Sequence, residues 1–494
     1  MKKIAALLIV ITMVITLISC SSKNDGVSTG DESENAAPTS ADANKVVMKR
    51  GSAEITYAEF NLYLCSTPAS VINNYMNYYG DEYASYMIAD AGLDPTKPYK
   101  DQECPYYEGS YLEYFIQNSA NYFTELCTLL DYANETGIAL DEDETAEAES
   151  QADQIVQNAV DNAGSIAAYY GDPSGMSTEE VFRSLYMKMT LADKAKDAFA
   201  NTVDLSEEAC RKEYEENPKE YSVVSYLAYT IVPNDETVSK EDAENYADQI
   251  IEETNVEGFV SSVESFHNDV LHPDEEDEEI TANTLRKTDM YYTEGDDAYE
   301  WMFTEAKVND TYKTEEEDGS ISVFLLLSEP ALNDYFTKNV RHILFLSTNY
   351  DTDDACREEA ERIYKEYLLN PTEENFADLA NKYSDDPELG TDENGNQYQK
   401  EEKTDGGLYE NIEHGKTVYE FDKWCFDSSR ITGDTGVIKT KYGYHVMYFV
   451  GDGKQITDGT ETILSGLKRK AFEEYKDSKE TAFESDYVAA NLDL

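Results

Sequence analysis

Positive charge is scarce in this chain: 39 lysines and arginines stand against 102 aspartates and glutamates, a formal net charge of −63 over 494 residues. Such a balance excludes nucleic acid and an anionic membrane surface as electrostatic partners. Basic or unfolded polypeptides stay open as partners, although a solvated acidic surface accounts for most such charge. Cysteine is sparse too, and its seven copies form no C-x-x-C pair, so neither a zinc ribbon nor a thioredoxin motif is present. The six cysteines beyond Cys20 could pair in many ways, and nothing in the sequence selects one. Cys127 and Cys425, set among apolar neighbours, read as buried thiols. Only five histidines occur. Two of them, His267 and His272, sit in an acidic stretch at a spacing that matches no ligand motif, and neither metal nor cofactor is expected. After residue 18 no apolar run is long enough to cross a bilayer.

What the chain does have begins at its first residues. Lys2-Lys3 followed by the apolar run Ile4 to Ile18 has the charge and length of an export signal. It ends in Leu17-Ile18-Ser19-Cys20, which resembles the bacterial lipobox. The resemblance implies cleavage of residues 1–19 and acylation of Cys20, so that a lipid tethers the protein outside the cell membrane. Residues 20–48, polar and rich in Ser, Asp and Ala, read as the lipidated cysteine and a flexible linker.

Residues 49–215 read as a helical domain. Thr56 and Glu59 have capping-box spacing, Tyr111 to Thr136 carries an amphipathic pattern closed by Gly137, and Ser177 with Glu180 is expected to cap a further helix. No catalytic constellation occurs there. The acidic run Asp141 to Glu144 reads as a solvated helix start. Residues 454–494 predict one last helix whose apolar face needs the N-terminal helices as a partner. The 39 tyrosines supply amphipathic surface able to hold extended peptides.

Between these segments a stretch is used twice. Val224 to Leu327 aligns with Arg341 to Val450, each reading as strand, two helices, variable loop, short helix and two strands. Phe259 meets Phe376, Asp269 meets Asp386, and Trp301-Met302-Phe303 meets Trp424-Cys425-Phe426. In this register Ser225 stands where the later copy has His342, and Ser322 where it has His445. Chemistry is therefore expected in the later copy.

Four ordered motifs of that copy carry a resemblance. They are Arg341-His342-Ile343-Leu344, the run from Phe376 through Tyr383-Ser384-Asp385-Asp386-Pro387, Gly406-Gly407-Leu408, and Tyr442-Gly443-Tyr444-His445-Val446. Together they resemble a parvulin-type peptidyl-prolyl isomerase, and the wider plan is similar to extracytoplasmic foldases of the PrsA and SurA type. The resemblance implies an α+β fold: a helical chaperone-like region completed by the C-terminal helix, a degenerate parvulin-like unit at 216–330 and an isomerase unit at 336–453. It also implies catalytic roles for His342, Asp386 and His445. A proline slot would be formed by Leu408, Thr417 and Phe421, with Phe426 behind. Thr417 and Tyr409-Glu410-Asn411 depart from the usual residues there and point to a shorter, more polar slot.

Such a catalyst must favour a twisted amide over either planar form against a barrier of about 18–20 kcal/mol. That requires no covalent step, only an apolar slot for the ring and a polar floor for the carbonyl. The implied partners are unfolded or partly folded exported proteins bearing X-Pro bonds, the membrane through the lipid, and, as an arrangement left open, a second copy in a homodimer. A non-catalytic holdase is the alternative reading. A solute-binding lipoprotein is disfavoured because no pair of large α/β lobes is apparent.

Overall fold

The structure is a computed structural model that describes residues 43–79, 92–94, 97–105, 107–234, 238–272, 279–316, 318–391, 397–403 and 405–491. The leader, Cys20 and nearly all of the linker lie outside them. The chain forms two compact units, one joining the residues up to Asp204 with Lys468–Leu494, the other spanning Leu205–Leu467. No helix among the described residues is long and apolar enough to cross a membrane.

The first unit is helical around a small antiparallel sheet. Strands β1 (Val46–Arg50) and β2 (Ala53–Thr56) lead into α1 (Tyr57–Tyr79), followed by α2 (Tyr111–Thr136), α3 (Glu142–Ala163) and α4 (Glu179–Ala200). Local chemistry sets these boundaries. Ser110 and Glu113 close a capping box on α2, and Gly137 ends it in the left-handed region at φ 72°. Asp141 and Glu144 do the same at the start of α3. The cap of α4 is Thr178, whose side chain accepts from the Val181 amide. Ser177, expected in that role, instead donates its amide to Asp172, so the helix begins one residue later than its Ser-x-x-Glu pattern suggests.

The C-terminal segment is built into this unit. Ala482–Phe483 pairs with β1, and Phe483 stacks on Phe60 at 5.2 Å. Arg50, 1% exposed, donates to the carbonyls of Tyr475, Lys476 and Lys479. It thereby satisfies the free carbonyls at the end of the helix Asp458–Asp477. Lys479 adds an ion pair with Asp131 at 2.7 Å.

The second unit contains two antiparallel sheets, each with four strands laid out in the same order, and in the earlier one a short fifth strand, Ala331–Leu332, also pairs with Ser222–Val223. The earlier consists of β3 (Ser222–Ile231), α5 (Lys240–Ile251), α6 (Val256–Phe266), β4 (Arg286–Tyr291), α7 (Asp297–Thr304), β5 (Thr311–Glu315) and β6 (Ile321–Leu326). The later consists of β7 (Asp334–Leu346), α8 (Asp353–Tyr367), α9 (Glu373–Tyr383), β8 (Leu408–Ile412), α10 (Tyr419–Cys425), β9 (Thr435–Thr440) and β10 (Gly443–Thr457). Strand order is β4-β3-β6-β5 in one and β8-β7-β10-β9 in the other. In both, the helix pair buries one face of the sheet, around Phe259 in one copy and Phe376 in the other, and the short helix covers part of the opposite face. The polar stretch Gly390 to Gly407, expected to be a loop, contains part of an antiparallel pair of strands, Pro387–Thr391 and Gln397–Lys403.

Six free cysteines occur among the described residues, with Cys127 and Cys425 both fully buried.

Candidate active site

The site lies on the face of the later sheet that carries α10. Alternation along β7 turns Ile343 and Phe345 toward the helix pair, leaving His342 on the other face with Val340. On the neighbouring strand the same alternation sets His445 and Met447 beside them, with His342 paired across from Met447. Two motif glycines let the backbone close around this point. Gly407 has φ 64°, and a Cβ there would lie 2.1 Å from the His342 carbonyl oxygen; one on Gly443 would lie 2.0 Å from that of Phe345.

The two imidazoles are each 4% exposed and stack with centroids 5.3 Å apart. Their Nδ1 atoms are 3.1 Å from each other. His342 Nε2 reaches Asp386 Oδ2 at 3.1 Å, and the Tyr409 hydroxyl donates to the same oxygen at 2.8 Å. At the other end Thr440 Oγ1 is 2.8 Å from His445 Nε2 and accepts from the Tyr442 amide at 3.2 Å. Asp386 is fixed by its own turn, where Ser384 Oγ accepts from the amides of Asp386 and Leu344.

Electrostatics give this row a direction. Burial, reinforced by the neighbouring His342, pushes the His445 imidazole down to about 3, while Asp386 pulls the other way. Burial would raise the Asp386 carboxyl, but the hydrogen bonds from His342 and the Tyr409 hydroxyl outweigh it and hold it below the usual carboxylate range. An ionised carboxylate only accepts, so with neutral rings one polarity satisfies every atom. Thr440 donates to His445 Nε2, His445 Nδ1–H to His342 Nδ1, and His342 Nε2–H to Asp386. The row therefore fixes both tautomers.

Phe421, 5% exposed, forms an apolar wall, its ring 5.3 Å from His342 and 5.6 Å from His445. Leu408 pairs with Arg341 on the adjacent strand, next to His342. Thr417 precedes α10; its hydroxyl is buried without a hydrogen-bond partner among the described residues, and its carbonyl accepts from Arg286 at 2.6 Å. Phe426 packs against His414 at 5.1 Å and Tyr335 at 5.7 Å. The structure thus joins His342, Asp386, His445 and Phe421 in one contact network, and Phe426 packs against the hydrophobic cluster that contains Phe421.

Three members of the network were missed by sequence reasoning: Tyr409, Thr440 and Ser384. Tyr409 appeared there only as a departure in the slot, whereas it bonds Asp386 and sets its ring 5.0 Å from His342. Hydroxyls carry no spacing signature, so only pairing geometry reveals them.

Strand register also corrects the comparison of the two copies. Phe449 pairs with Val340, accepts from the Gly433 amide and donates to the Asp434 carbonyl. Leu326 pairs with Tyr226, accepts from Asn309 and donates to Asp310. Keyed by this shared turn, Ser322 does stand at the place of His445. The place of His342, however, is taken by Ala228, paired with Phe324, and not by Ser225. Ser225 lies three residues earlier on the same strand, beside an irregularity in the pairing of β3 with β4, an offset that an alignment without gaps misses. Asp269 is no counterpart of Asp386 in space, being exposed and bonded to Ser265 of its own helical turn. Ala298 stands where the later copy has Phe421, if α7 and α10 are matched at their tryptophans.

Against known families, residues 342–451 match the model of the rotamase family, described as the PPIC-type PPIASE domain. No curated protein matches the chain. The matched span opens at His342, takes in every member of the buried row and ends within β10, so at residues 342–451 the chain carries a parvulin-type peptidyl-prolyl cis-trans isomerase domain.

Proposed function

We propose that the protein is a lipid-anchored, extracytoplasmic isomerase and foldase for exported proteins, with catalysis confined to the later copy. The observation that carries the catalytic part is the buried row from Thr440 through His445 and His342 to Asp386, lying against Phe421. In this reading Phe421 and Leu408 receive the proline ring. The two imidazoles form a floor of fixed polarity that favours the twisted amide, whose nitrogen lone pair and carbonyl are no longer conjugated. Asp386 and Tyr409 hold His342 in place.

The earlier copy is read as a degenerate parvulin-like unit. Support comes from its equal element order and strand order, and from Ala228, Ala298 and Ser322 at the places of His342, Phe421 and His445. The helical unit is read as the client-holding part, since it carries apolar and aromatic surface without a catalytic group. Membrane anchoring rests on the lipobox-like sequence ending in Cys20.

The test is the full chain bearing His342→Ser and His445→Ser. Prolyl isomerisation of a short peptide, followed by exchange spectroscopy, is expected to drop about a hundredfold in kcat/KM. Suppression of client aggregation is expected to persist. An unchanged rate in the folded variant would move the protein to the holdase class.

A further inference from the structure

The two copies are joined by a buried clamp. Arg286 of β4 forms an ion pair with Asp422 of α10 at 3.1 Å, the two side chains 8% and 5% exposed. The same guanidinium donates to the carbonyls of Gly415 and Thr417. Asn283 accepts from the Tyr419 amide at 2.7 Å, so the start of α10 is held by the earlier copy at two points. A buried pair of this kind contributes specificity of arrangement more than net stability. Its effect here is to fix the spacing between the copies.

That spacing leaves a cleft of about 1070 Å³, at or above the upper end of small-molecule pockets and roomy enough for a peptide segment. One wall is α6 with Val260 and Ser261; the other is α10 and β9 with Trp424 and Ile438. Two observations connect it to the isomerase site. Thr440, which bonds His445 Nε2, is itself part of the cleft lining. β9 is the outer strand of its sheet, and among the described residues no further strand pairs with it. An extended chain laid along the cleft would meet that strand edge, an apolar floor at Trp424 and Ile438, and charges of both signs from the two walls.

We propose that this cleft is a subsite for the extended client segment flanking the isomerising X-Pro bond, formed jointly by the two copies. The earlier copy then serves the reaction without a catalytic group of its own, as the second wall of the subsite. The inference rests on the reading that the row containing His445 is the isomerase floor.

The test compares a prolyl tetrapeptide with peptides of about twelve residues, long enough at ~3.3–3.6 Å per residue to extend into the cleft. One extends before the proline and one after it, and the full-chain protein is used. One of the long peptides is expected to show about tenfold higher kcat/KM than the tetrapeptide. Ser261→Trp, an exposed position on the α6 wall, is expected to abolish that advantage and leave the tetrapeptide rate unchanged. Glu257→Trp on the same wall should act alike. Fluorescence anisotropy of the labelled long peptide reads the cleft independently of turnover, and its Kd should rise about tenfold in Ser261→Trp. Equal rates for short and long peptides in the wild type, or a length advantage and Kd that survive both tryptophans, would overturn the proposal. Loss of turnover in the wild type with the tryptophan effect on Kd intact would instead sink the assignment of the catalytic row and leave the cleft standing.

Discussion

The two sheets of the second unit share a strand order and differ in what fills the face under the short helix. In the later sheet that face holds two imidazoles and Phe421. In the earlier one the same places carry Ala228, Ser322 and Ala298, and the volume is taken by Tyr226, Phe324 and Tyr299, with the Tyr226 and Tyr299 hydroxyls 3.1 Å apart. A common backbone thus supports either a polar floor beside an apolar wall or an ordinary aromatic cluster. Under the proposed assignment, chemistry resides in three side chains and their hydrogen-bond partners, not in the topology.

The comparison breaks first at Phe421. Phe421→Ala gives the later face the residue of the earlier one, and removal of a buried aromatic is expected to cost about 3–5 kcal/mol of stability. Any folded fraction should have lost the proline wall. Denaturant titration and peptide isomerisation on the full chain check both, and Ala298→Phe in the earlier sheet should leave the isomerisation rate unchanged. A Phe421→Ala protein as active as wild type would show that the wall lies elsewhere.

The next effect is on pH dependence. His445 is held neutral, its folded-state value depressed to about 3 from an ordinary 6.5. Its contribution to stability is therefore present above pH ~6.5 and is lost as pH falls toward the folded value, because only the unfolded chain takes up the proton. Between pH 7 and 5 the loss is on the order of 2 kcal/mol at this residue. His414 works the other way. It lies between Asp289 and Asp422; burial lowers it, but these carboxylates outweigh that and raise it, so its contribution is greatest at low pH. Denaturation of His445→Gln at both pH values isolates the first contribution, and an unchanged pH slope would contradict the buried neutral ring. Ser322 of the earlier sheet has no such titration, so Ser322→Ala should leave the slope alone.

The smallest effect expected is at Tyr409. Tyr409→Phe removes one donor from Asp386 and should lower kcat/KM about fivefold, near 1 kcal/mol, with little change in folding. A rate equal to wild type would reduce Tyr409 to a packing residue.

Much of this arrangement could be read from the residues. Helix α2 follows from its apolar periodicity, Ser110 and Gly137. The helix pair of each copy is announced by Phe259 and Phe376, both fully buried. The histidines stood out because a chain with five of them placed two in paired strand motifs. Less was legible where pairing decides. Ser225 looked equivalent to His342 until strand pairing put Ala228, three residues on, at that place. Thr440 sits five residues from His445 in an unremarkable strand ending, and its role appears only when a tight turn at Gly443 folds β9 back on β10. Arg286 lies far from Asp422 in sequence, and no local pattern marks a charge that will be buried against another domain-sized unit.

Arg50 near the start of the described chain and the carbonyls it caps near the end have a consequence for the order of events during synthesis. Residues 205–467 are continuous and hold all their strand partners among themselves. They can assemble as soon as they emerge. The helical unit cannot close until Tyr475, Lys476 and Lys479 arrive to meet Arg50 and Asp131. Its contacts span more than 400 residues of sequence, and such long loops are the last to shut. The newborn protein thus completes its isomerase sheet while the helical half still waits for its final segment.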